Sequence, residues 1–491
     1  MSGATSAGIE LTPENLSNLD SRVAVPRYDR SRLQQGIVHI GVGGFHRAHQ
    51  AEYLDDLCND GLNEWSITGA GVMSTDSAMA TALHAQSGLY TLMTRSAEST
   101  RVRVIGTVVA YLHAFPDLDS LTGLCAAPST RIVSLTITEG GYPVDPETGV
   151  PVNAAASPAF AAISTALEHR HHNGVGPFTV LSCDNVLRNG DVAKKATLGA
   201  ADEMGHDVAW MEREVAFPSS MVDRITPATT DEDRAGLTSE YGIVDRWPVV
   251  SEPFRQWVIE DEFCQGRPPW ESAGALITDD VTPYEQLKLR VLNAGHSTLA
   301  YLAALAGYEL VDQVMEDPWF AGFLTQFLHD EVIPVLPPVP GVDVRAYTEE
   351  IIERFSNPAI RDQVSRLCLD GSSKFPTFLM PTIRAQLEGG GPIELSALAL
   401  AGWCQYLLGK SDSGADLDLA ADSKLDSAVA HARSSVTEPA AFLGFTEVFG
   451  EVGSHPRIQE AFVMALISLR QHGSRTTLKE WLANGDGGRS V

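Results

Sequence analysis

The sequence predicts an α/β protein of two domains, the first built on a mostly parallel sheet and the second mainly α-helical. Two observations support this prediction. Short apolar runs alternate with helical patterns up to about residue 284, which is typical of parallel strands covered by helices on both faces. Beyond that point helical periodicity dominates and strand alternation does not return. A chain of 491 residues is also too long for one core, so we place the domains at residues 1–284 and 285–491.

Five short runs rich in β-branched residues predict the strands of the first domain, since each ends in glycine or polar residues. The runs are 36–40, 65–72, 102–109, 132–138 and 178–183. A helix is expected from Arg47 to Cys58. The helices expected in the second domain are Ser297–Ala306, Pro318–Leu328, Val344–Phe355, Ile393–Leu408 and Ala461–Gln471. The proline-rich stretch 333–340 is expected to be a rigid connector.

Composition excludes several classes of function. The net charge of −28 argues against nonspecific binding to nucleic acids or anionic membranes. No apolar run approaches the roughly 20 residues that cross a bilayer, and the N-terminus lacks the pattern of a signal peptide. None of the six cysteines forms a C-x-x-C pair, so a cysteine-based zinc site is not indicated. We expect a cytoplasmic protein with reduced thiols and a small-molecule substrate. A monomer is compatible with the sequence, which leaves the oligomeric state open.

A glycine-rich turn follows the first predicted strand. The dinucleotide fingerprint requires a strand, closely spaced glycines and then a helix, and Gly41 and Gly43 supply its first two glycines. The usual third glycine is replaced by His46, and Arg47 could add a donor to phosphates. The candidate cofactor-binding residues are Ile37, Val38, His39, Ile40, Gly41, Val42, Gly43, Gly44, Phe45, His46, Arg47 and Ala48. The alternative is a glycine-rich turn in another kind of α/β protein.

The identity of the cofactor depends on the residues after the second predicted strand. Asp76 is a candidate for binding the adenosine ribose. No basic cluster lies there to bind a 2′-phosphate, which favours NAD over NADP. His46 and His49 are spaced i and i+3 but have no obvious carboxylate partner, so we expect no metal site.

A lysine, an asparagine and a histidine lie within nine residues near the start of the second domain. On a regular helix Asn293 and His296 are neighbours, and Lys288 lies roughly 80° around the axis from His296. A partly desolvated lysine can lose its proton near neutral pH and act as a base. An amide and an imidazole beside it can hold an alcohol or carbonyl oxygen. The alternative is a solvated helix face.

Four segments resemble the polyol-specific long-chain dehydrogenases/reductases. They are Gly41–Gln50, Thr136–Tyr142, Ser182–Asn185 and Lys288–Ser297, and the similarity extends from about residue 36 to about residue 480. The resemblance implies an NAD-linked, metal-independent interconversion of D-mannitol and D-fructose. It also implies a Rossmann-type domain followed by a helical domain, with the active site between them.

The resemblance also implies roles for individual residues. Lys288 would be the general acid/base, and Asn185 and Asn293 would hold the reacting oxygen. His296 would bind and orient the substrate, and Glu285 would relay the proton to solvent. A base near the working pH suits the oxidation of a secondary alcohol. Taken alone, Asn185 could equally be a turn residue or a helix cap.

Three further residues match substrate contacts of the family: Asp223, Arg366 and Lys374. Each also has an ordinary alternative, because Asp223 could pair with Arg224 and the two cations could lie at the surface. The related activities that remain open are oxidation of D-arabinitol or sorbitol and reduction of a hexuronate such as fructuronate. A third alternative is a non-enzymatic dinucleotide-binding protein whose helical half is an interaction surface.

Overall fold

The structure is a computed structural model that describes residues 8–145 and 148–487. The chain divides into two compact units, one ending at Thr282 and the other beginning at Pro283. This division falls two residues from the predicted domain boundary. The predicted domains also include residues 1–7, 146–147 and 488–491, which lie outside the described residues.

The first unit is built on a five-stranded parallel sheet. Its strands, in spatial order, are Val108–His113, Ser66–Gly71, Gln35–Ile40, Ile132–Leu135 and Thr179–Ser182. Alternate residues of the central strand face opposite sides of the sheet. Ile37 packs into the core on one face, and Val38 and Ile40 pack into the core on the other. Burial on both faces explains why this strand lacks a polar side.

The order of the strands creates a crevice beside the central strand. After Gln35–Ile40 the chain adds its next two sheet strands on one side, and then crosses to begin Ile132–Leu135 on the other side. The connections leaving these two neighbouring strands therefore run in opposite directions. In open α/β sheets, ligands bind at such a switch point, outside the carboxyl ends of the strands.

The predicted strand 102–109 is wrong as one element. Thr100–Ile105 pairs antiparallel with Tyr90–Arg95 in a separate small sheet, whereas Val108–His113 belongs to the main sheet. The chain changes direction at Gly106, whose N–H donates to Asp55 Oδ1 at 3.0 Å. Strand patterns alone did not reveal the short strands of the smaller sheets. These are Ile9–Glu10, Tyr90–Arg95, Ser220–Asp223, Ile243–Val244, Val249–Ser251, Gln256–Glu260 and Leu276–Thr278.

The helix predicted at Arg47–Cys58 begins earlier and is broken at His49, whose φ of −128° and ψ of −89° are not helical. The helices of the first unit are Gly44–Ala48, Gln50–Asn59, Ser77–Ala85, Asp119–Ala126, Pro158–His172, Asn189–Met204, Val208–Glu214 and Asp231–Tyr241.

The second unit is helical, and none of its described residues belongs to a strand. Its core is rich in aromatic side chains, including the fully buried Trp403, Tyr301 and Phe320. Its α-helices, the first of which begins at the last residue of the first unit, are Thr282–Lys288, Ala294–Ala306, Val311–Glu316, Pro318–Gln326, Val344–Phe355, Val364–Leu367, Gly371–Phe378, Met380–Gly389, Glu394–Tyr406, Leu425–Ser434, Thr446–Phe449 and Pro456–Gly487.

Three irregularities interrupt these helices. Leu289–Asn293 and Phe327–Val332 are π-helical, and the last helix is kinked at Gly473. Within the proline-rich connector only Ile333–Val335 forms a single 3₁₀ turn. In the described part of the chain, no helix combines the length and the apolar character needed to cross a membrane.

Candidate active site

The glycine turn lies at the carboxyl end of the central strand. Gly41 has a φ of +91°, and a Cβ there would come within 2.2 Å of the carbonyl oxygen of Thr136, so only glycine fits. At Gly43 an added Cβ would meet nothing closer than the Gly41 oxygen at 3.8 Å. The space beside Gly43 is therefore open, and a phosphate can approach its backbone closely. This geometry fits the pyrophosphate of a dinucleotide.

His46 occupies the position of the third fingerprint glycine. Its ring stacks on the ring of His39, with 3.5 Å between the centroids and 11° between the planes. Both side chains are buried. Burial lowers the pKa of His39 to about 3 and holds that of His46 well below its usual 6.5, so both rings are neutral at physiological pH. The stacked pair fills the space where a third glycine would bring the helix close to the strand.

Hydrogen bonds of the Thr136 hydroxyl connect His39 to the glycine turn. Thr136 Oγ1 donates to the carbonyl oxygen of Gly41 at 2.7 Å. That oxygen can only accept, so Thr136 Oγ1 must in turn accept from Nε2–H of His39, at 2.8 Å. His39 Nδ1 is then the acceptor for the Ser134 hydroxyl, also at 2.8 Å. This series of hydrogen bonds fixes the tautomer of His39 and supports the glycine turn from the neighbouring strand.

Arg47 and His49 point into the fold. The Arg47 guanidinium donates to the carbonyl oxygens of Gly43 at 3.2 Å and Trp247 at 2.5 Å, so it supports the turn from inside. Burial lowers its pKa. His49 Nε2 donates to the Gln256 carbonyl at 2.8 Å, which fixes that ring as well. Among the described residues no group of three or more His, Cys, Asp or Glu side chains is arranged to hold a metal ion.

Asn185 is exposed and lies just beyond the fifth strand of the sheet, after Cys183 and Asp184. Asn189 ties this segment to strand Ser220–Asp223: its Nδ2 donates to the carbonyl oxygens of Asp184 at 3.0 Å and Ser220 at 2.7 Å. Asp223 ends that strand and is 4% exposed. Two of the predicted site residues, Asn185 and Asp223, thus lie on segments that are hydrogen-bonded to each other through one side chain.

The alternative for Asp223 was an ion pair with its neighbour Arg224. The buried guanidinium of Arg224 binds Glu52, and it also donates to the carbonyl oxygen of Glu252 at 3.0 Å and 2.8 Å. Asp223 acts electrostatically on His49, raising its pKa against the larger effect of burial. The carboxylate therefore lies beside the helix that begins at the glycine turn.

In the second unit, Lys288 ends one α-helical segment and is 8% exposed. The helix after Lys288 is not regular, although the sequence predicted a regular one, because Leu289–Asn293 form a π turn. Such a turn adds one residue, which rotates everything after it back by roughly 100°. The angle between Lys288 and His296 therefore falls from roughly 80° to roughly 20°, and Asn293 lies within about 40° of Lys288. The π turn thus brings the three side chains to one face of the helix.

Two atoms on this face have unused hydrogen-bonding capacity. Asn293 Nδ2 and His296 Nε2 are buried and have no hydrogen-bond partner among the described residues. The ring of His296 stacks on Phe355, with 3.9 Å between the centroids and 8° between the planes. Burial lowers the pKa of His296 to about 3, so the imidazole is neutral. Buried polar atoms normally have partners, so two unpaired ones on one helix face mark a candidate ligand site.

Arg366 and Lys374 lie near His296. The charges of Asp362, Arg366, Arg354 and Lys374 all act on the pKa of this imidazole, which places them around it. Arg366 Nε and Nη2 donate to the Asp362 carboxylate at 2.7 Å and 2.5 Å, and Lys374 Nζ donates to the Leu367 carbonyl at 3.2 Å. The structure therefore brings together His296, Arg366 and Lys374, which the sequence predicted as separate contacts.

Sequence reasoning missed several supporting residues. Asp362 lies four residues before Arg366, a spacing that could have indicated the pair. No pattern in the sequence indicated that Phe355 would stack on His296 or that the Thr136 hydroxyl would hold the glycine turn. Glu285, the predicted proton relay, is 5% exposed and lies one helical turn before Lys288.

Comparison with known proteins identifies the family. Residues 35–272 match the mannitol dehydrogenase Rossmann domain, and residues 280–470 match the mannitol dehydrogenase C-terminal domain. The chain belongs to the mannitol dehydrogenase family. This confirms the resemblance inferred from the sequence, together with the predicted combination of a Rossmann-type domain and a helical domain.

Three relatives span nearly the whole chain. The chain is 41% identical to Pseudomonas fluorescens mannitol 2-dehydrogenase, whose structure is a ternary complex with NAD and D-mannitol; the match covers 97% of this chain and 100% of that one, with a TM-score of 0.87. It is 35% identical to a substrate-free D-sorbitol dehydrogenase, covering 95% and 100%, with a TM-score of 0.86. It is 40% identical over 501 residues to mannitol 2-dehydrogenase of Aspergillus fumigatus, covering 97% and 100%.

Replacing Thr136 with valine should destabilise the first unit. Valine preserves the shape but leaves the Nε2–H of His39 and the Gly41 carbonyl without their shared partner, which should cost about 2–3 kcal/mol. Urea unfolding followed by tryptophan fluorescence measures the change. The matched control is Thr136→Ser, which keeps the hydroxyl and should lose less than about 1 kcal/mol. Equal stability of the valine and serine variants would exclude the proposed hydrogen-bond chain.

The histidine at position 296 should contribute to acid sensitivity. Its folded-state pKa of about 3 lies below its usual 6.5, so its contribution to stability is complete above that value and is lost as the pH falls from 6.5 towards 3. Between about pH 7.5 and about pH 5.5, protonation of the unfolded state should remove about 1.4 kcal/mol. His296→Asn should lack this part of the loss in urea unfolding experiments at the two pH values. The control is His472→Asn, which makes the same replacement at an exposed histidine of the same unit.

Proposed function

We propose that this protein interconverts D-mannitol and D-fructose by hydride transfer with NAD(H), with Lys288 as the general acid/base and without a metal ion. The observation that carries the proposal is the buried Lys288, on one helix face with the unpaired polar atoms of Asn293 and His296. The family relatives at about 40% identity are mannitol 2-dehydrogenases, and one was solved with NAD and D-mannitol.

The cofactor site is proposed at residues 37–48. Gly41 and Gly43 shape a turn that leaves the backbone open to a pyrophosphate, and His39, His46 and Arg47 support that turn from inside the fold. Asp76, the candidate for the adenosine ribose, accepts from the N–H of Met73 at 2.9 Å and so also holds the turn after the second strand of the sheet. NAD⁺, when bound, accepts the hydride that leaves the alcohol carbon.

Lys288 removes the hydroxyl proton of the alcohol in the oxidation direction. The side chain is buried, and its amine is proposed to act as a base in the neutral form. Negative charge builds on the substrate oxygen as the proton leaves. An amide donor from Asn293, already in place, stabilises this charge, and the same role is proposed for Asn185. Glu285, one turn away on the same helix, passes the proton on to solvent.

The substrate is held by hydroxyl contacts. His296 presents a neutral ring with an unpaired Nε2, which can hydrogen-bond to the reacting oxygen or to a neighbouring hydroxyl. Arg366 is fixed by Asp362, so its remaining N–H groups are oriented before substrate binds. Lys374 and Asp223 are proposed as further contacts. A ketose or polyol offers several hydroxyls, which such a set of donors and acceptors can bind together.

Two sister activities have support from specific observations. The similarity to a D-sorbitol dehydrogenase supports oxidation of D-sorbitol, and D-arabinitol is a shorter analogue. The cations Arg354, Arg366 and Lys374 around His296 could also bind a carboxylate, as reduction of fructuronate requires. The deciding experiment compares oxidation of D-mannitol, D-sorbitol and D-arabinitol by NAD⁺ with reduction of D-fructose and fructuronate by NADH. The proposal requires the highest kcat/KM for the mannitol and fructose pair.

We propose a cytoplasmic location and, as the simplest case, a monomer. All six cysteines are free and five are buried, which suits a reducing compartment. Size-exclusion chromatography with light scattering would determine the number of subunits.

Replacing Lys288 with alanine should reduce turnover by roughly 10²–10⁴-fold, because the proton then has no positioned acceptor. NADH binding should be nearly unchanged, since Lys288 is not among the residues proposed to bind the cofactor. Turnover is measured from NADH consumption with D-fructose, and binding from quenching of tryptophan fluorescence. The control is Lys479→Ala, which removes an exposed lysine of the same unit and should keep parent-like turnover.

The same assay after exhaustive chelation should show unchanged activity in the parent protein. Parent-like turnover in the Lys288→Ala variant, or loss of activity with the metal, would contradict the lysine mechanism.

A further inference from the structure

Thr138 has a backbone conformation that is almost confined to glycine. Its φ of +64° and ψ of 166° lie in a region that a β-branched residue rarely adopts. Its side chain is exposed, so packing in the core does not impose this conformation. Glycine would adopt it without strain. A threonine at this position therefore has a conformational cost that glycine would avoid, and core packing does not explain why the residue is threonine.

The carboxylate of Asp184 holds Thr138 in the strained conformation. Asp184 accepts from the N–H of Ile137 at 3.0 Å, from the N–H of Thr138 at 2.8 Å and from the hydroxyl of Tyr142 at 2.7 Å. Tyr142 donates its only hydroxyl hydrogen to Asp184, so the Ser182 hydroxyl must donate to the Tyr142 oxygen, at 2.6 Å. Asp184 and Tyr142 are each 7% exposed. This buried polar set fixes the turn to the end of the neighbouring strand.

The strained turn lies beside the glycine turn. It follows strand Ile132–Leu135, the partner of the central strand across the switch point. The carbonyl oxygen of Thr136, at the start of the turn, is the atom that Gly41 approaches most closely. Thr138 therefore stands at the edge of the sheet where a ligand of this fold binds. Its exposed hydroxyl is the group that glycine, the unstrained choice, could not supply.

The strand order indicates which half of a dinucleotide would lie beside Thr138. The adenosine ribose of a dinucleotide lies near the end of the second strand of the sheet, Ser66–Gly71, on one side of the central strand. A pyrophosphate would lie at the glycine turn. The nicotinamide half would then extend to the other side, over Ile132–Leu135 and the turn that follows it.

We propose that the Thr138 hydroxyl is a binding contact for the ribose next to the nicotinamide, and that Asp184 is the positioning residue that holds it there. This inference rests on the proposed function, because it requires a nicotinamide dinucleotide in the crevice. The strain at Thr138 is then the cost of placing a hydroxyl where the backbone alone would favour glycine.

The test compares three substitutions of Thr138. Thr138→Gly removes both the hydroxyl and the strain, Thr138→Ala removes the hydroxyl, and Thr138→Ser keeps the hydroxyl. NADH dissociation constants are measured by fluorescence titration, and unfolding midpoints are measured on the protein without ligand. The glycine and alanine variants should bind NADH about 3- to 10-fold more weakly, the value of one hydrogen bond. The serine variant should bind within about twofold of the parent, and the glycine variant should unfold at or above the parent midpoint.

Asp184→Asn adds a test of the positioning role. The amide cannot accept from both N–H groups and the tyrosine hydroxyl, so this variant should also bind NADH more weakly. Combined with Thr138→Gly its effect should be less than additive, because both changes remove the same contact.

Parent-like NADH binding by the alanine variant would exclude a contact between the Thr138 hydroxyl and the cofactor. A clearly lower unfolding midpoint of the glycine variant would contradict the inferred backbone strain at Thr138. Fully additive losses in the double variant would overturn the role of Asp184. If the parent protein does not bind NADH, the proposed function and this contact are both wrong. If the parent binds NADH and the alanine variant binds it equally well, only this contact is wrong.

Discussion

The burial of one amine is the constraint on which the functional account depends. Lys288 is 8% exposed, and the proposed mechanism requires its amine in the neutral form, because only a neutral amine can take up a proton. A lysine in water at neutral pH would be protonated and could not remove a hydroxyl proton. The π turn that follows Lys288 adds the second requirement, because it rotates Asn293 and His296 to the same helix face. Irregular helix turns of this kind are frequent at functional sites.

A different constraint shapes the glycine turn. Gly41 approaches the carbonyl oxygen of Thr136 so closely that no other residue fits, and the Thr136 hydroxyl binds the Gly41 carbonyl in return. The stacked rings of His39 and His46 then fill the position where the usual fingerprint has a third glycine. The turn is therefore held by close packing and by hydrogen bonds from the Thr136 hydroxyl and the Arg47 guanidinium. A negatively charged ligand meets open backbone at Gly43, in a protein whose net charge is −28.

The sequence could predict the fold class, because long alternation of strands and helices and the later loss of strand patterns are global signals. It could also predict the central strand and the glycine turn after it. The run 102–109 could not be resolved, because pairing with Tyr90–Arg95 or with the main sheet depends on distant residues. The π turn was missed because the apolar pattern of residues 284–297 is equally compatible with a regular helix. Arg366 and Lys374 could be proposed from the family motif, but their grouping around His296 and the support of Asp362 are tertiary contacts.

Chemical rescue of the Lys288→Ala variant tests the central claim most directly. If the neutral amine of Lys288 is the base, small primary amines such as methylamine and ethylamine should enter the space left by the side chain and restore oxidation of D-mannitol. Turnover should then rise with amine concentration and vary with amine basicity, while the parent protein is unaffected. A variant that binds NADH normally but gains no turnover from any amine, or one that needs no amine to match the parent, would contradict the account.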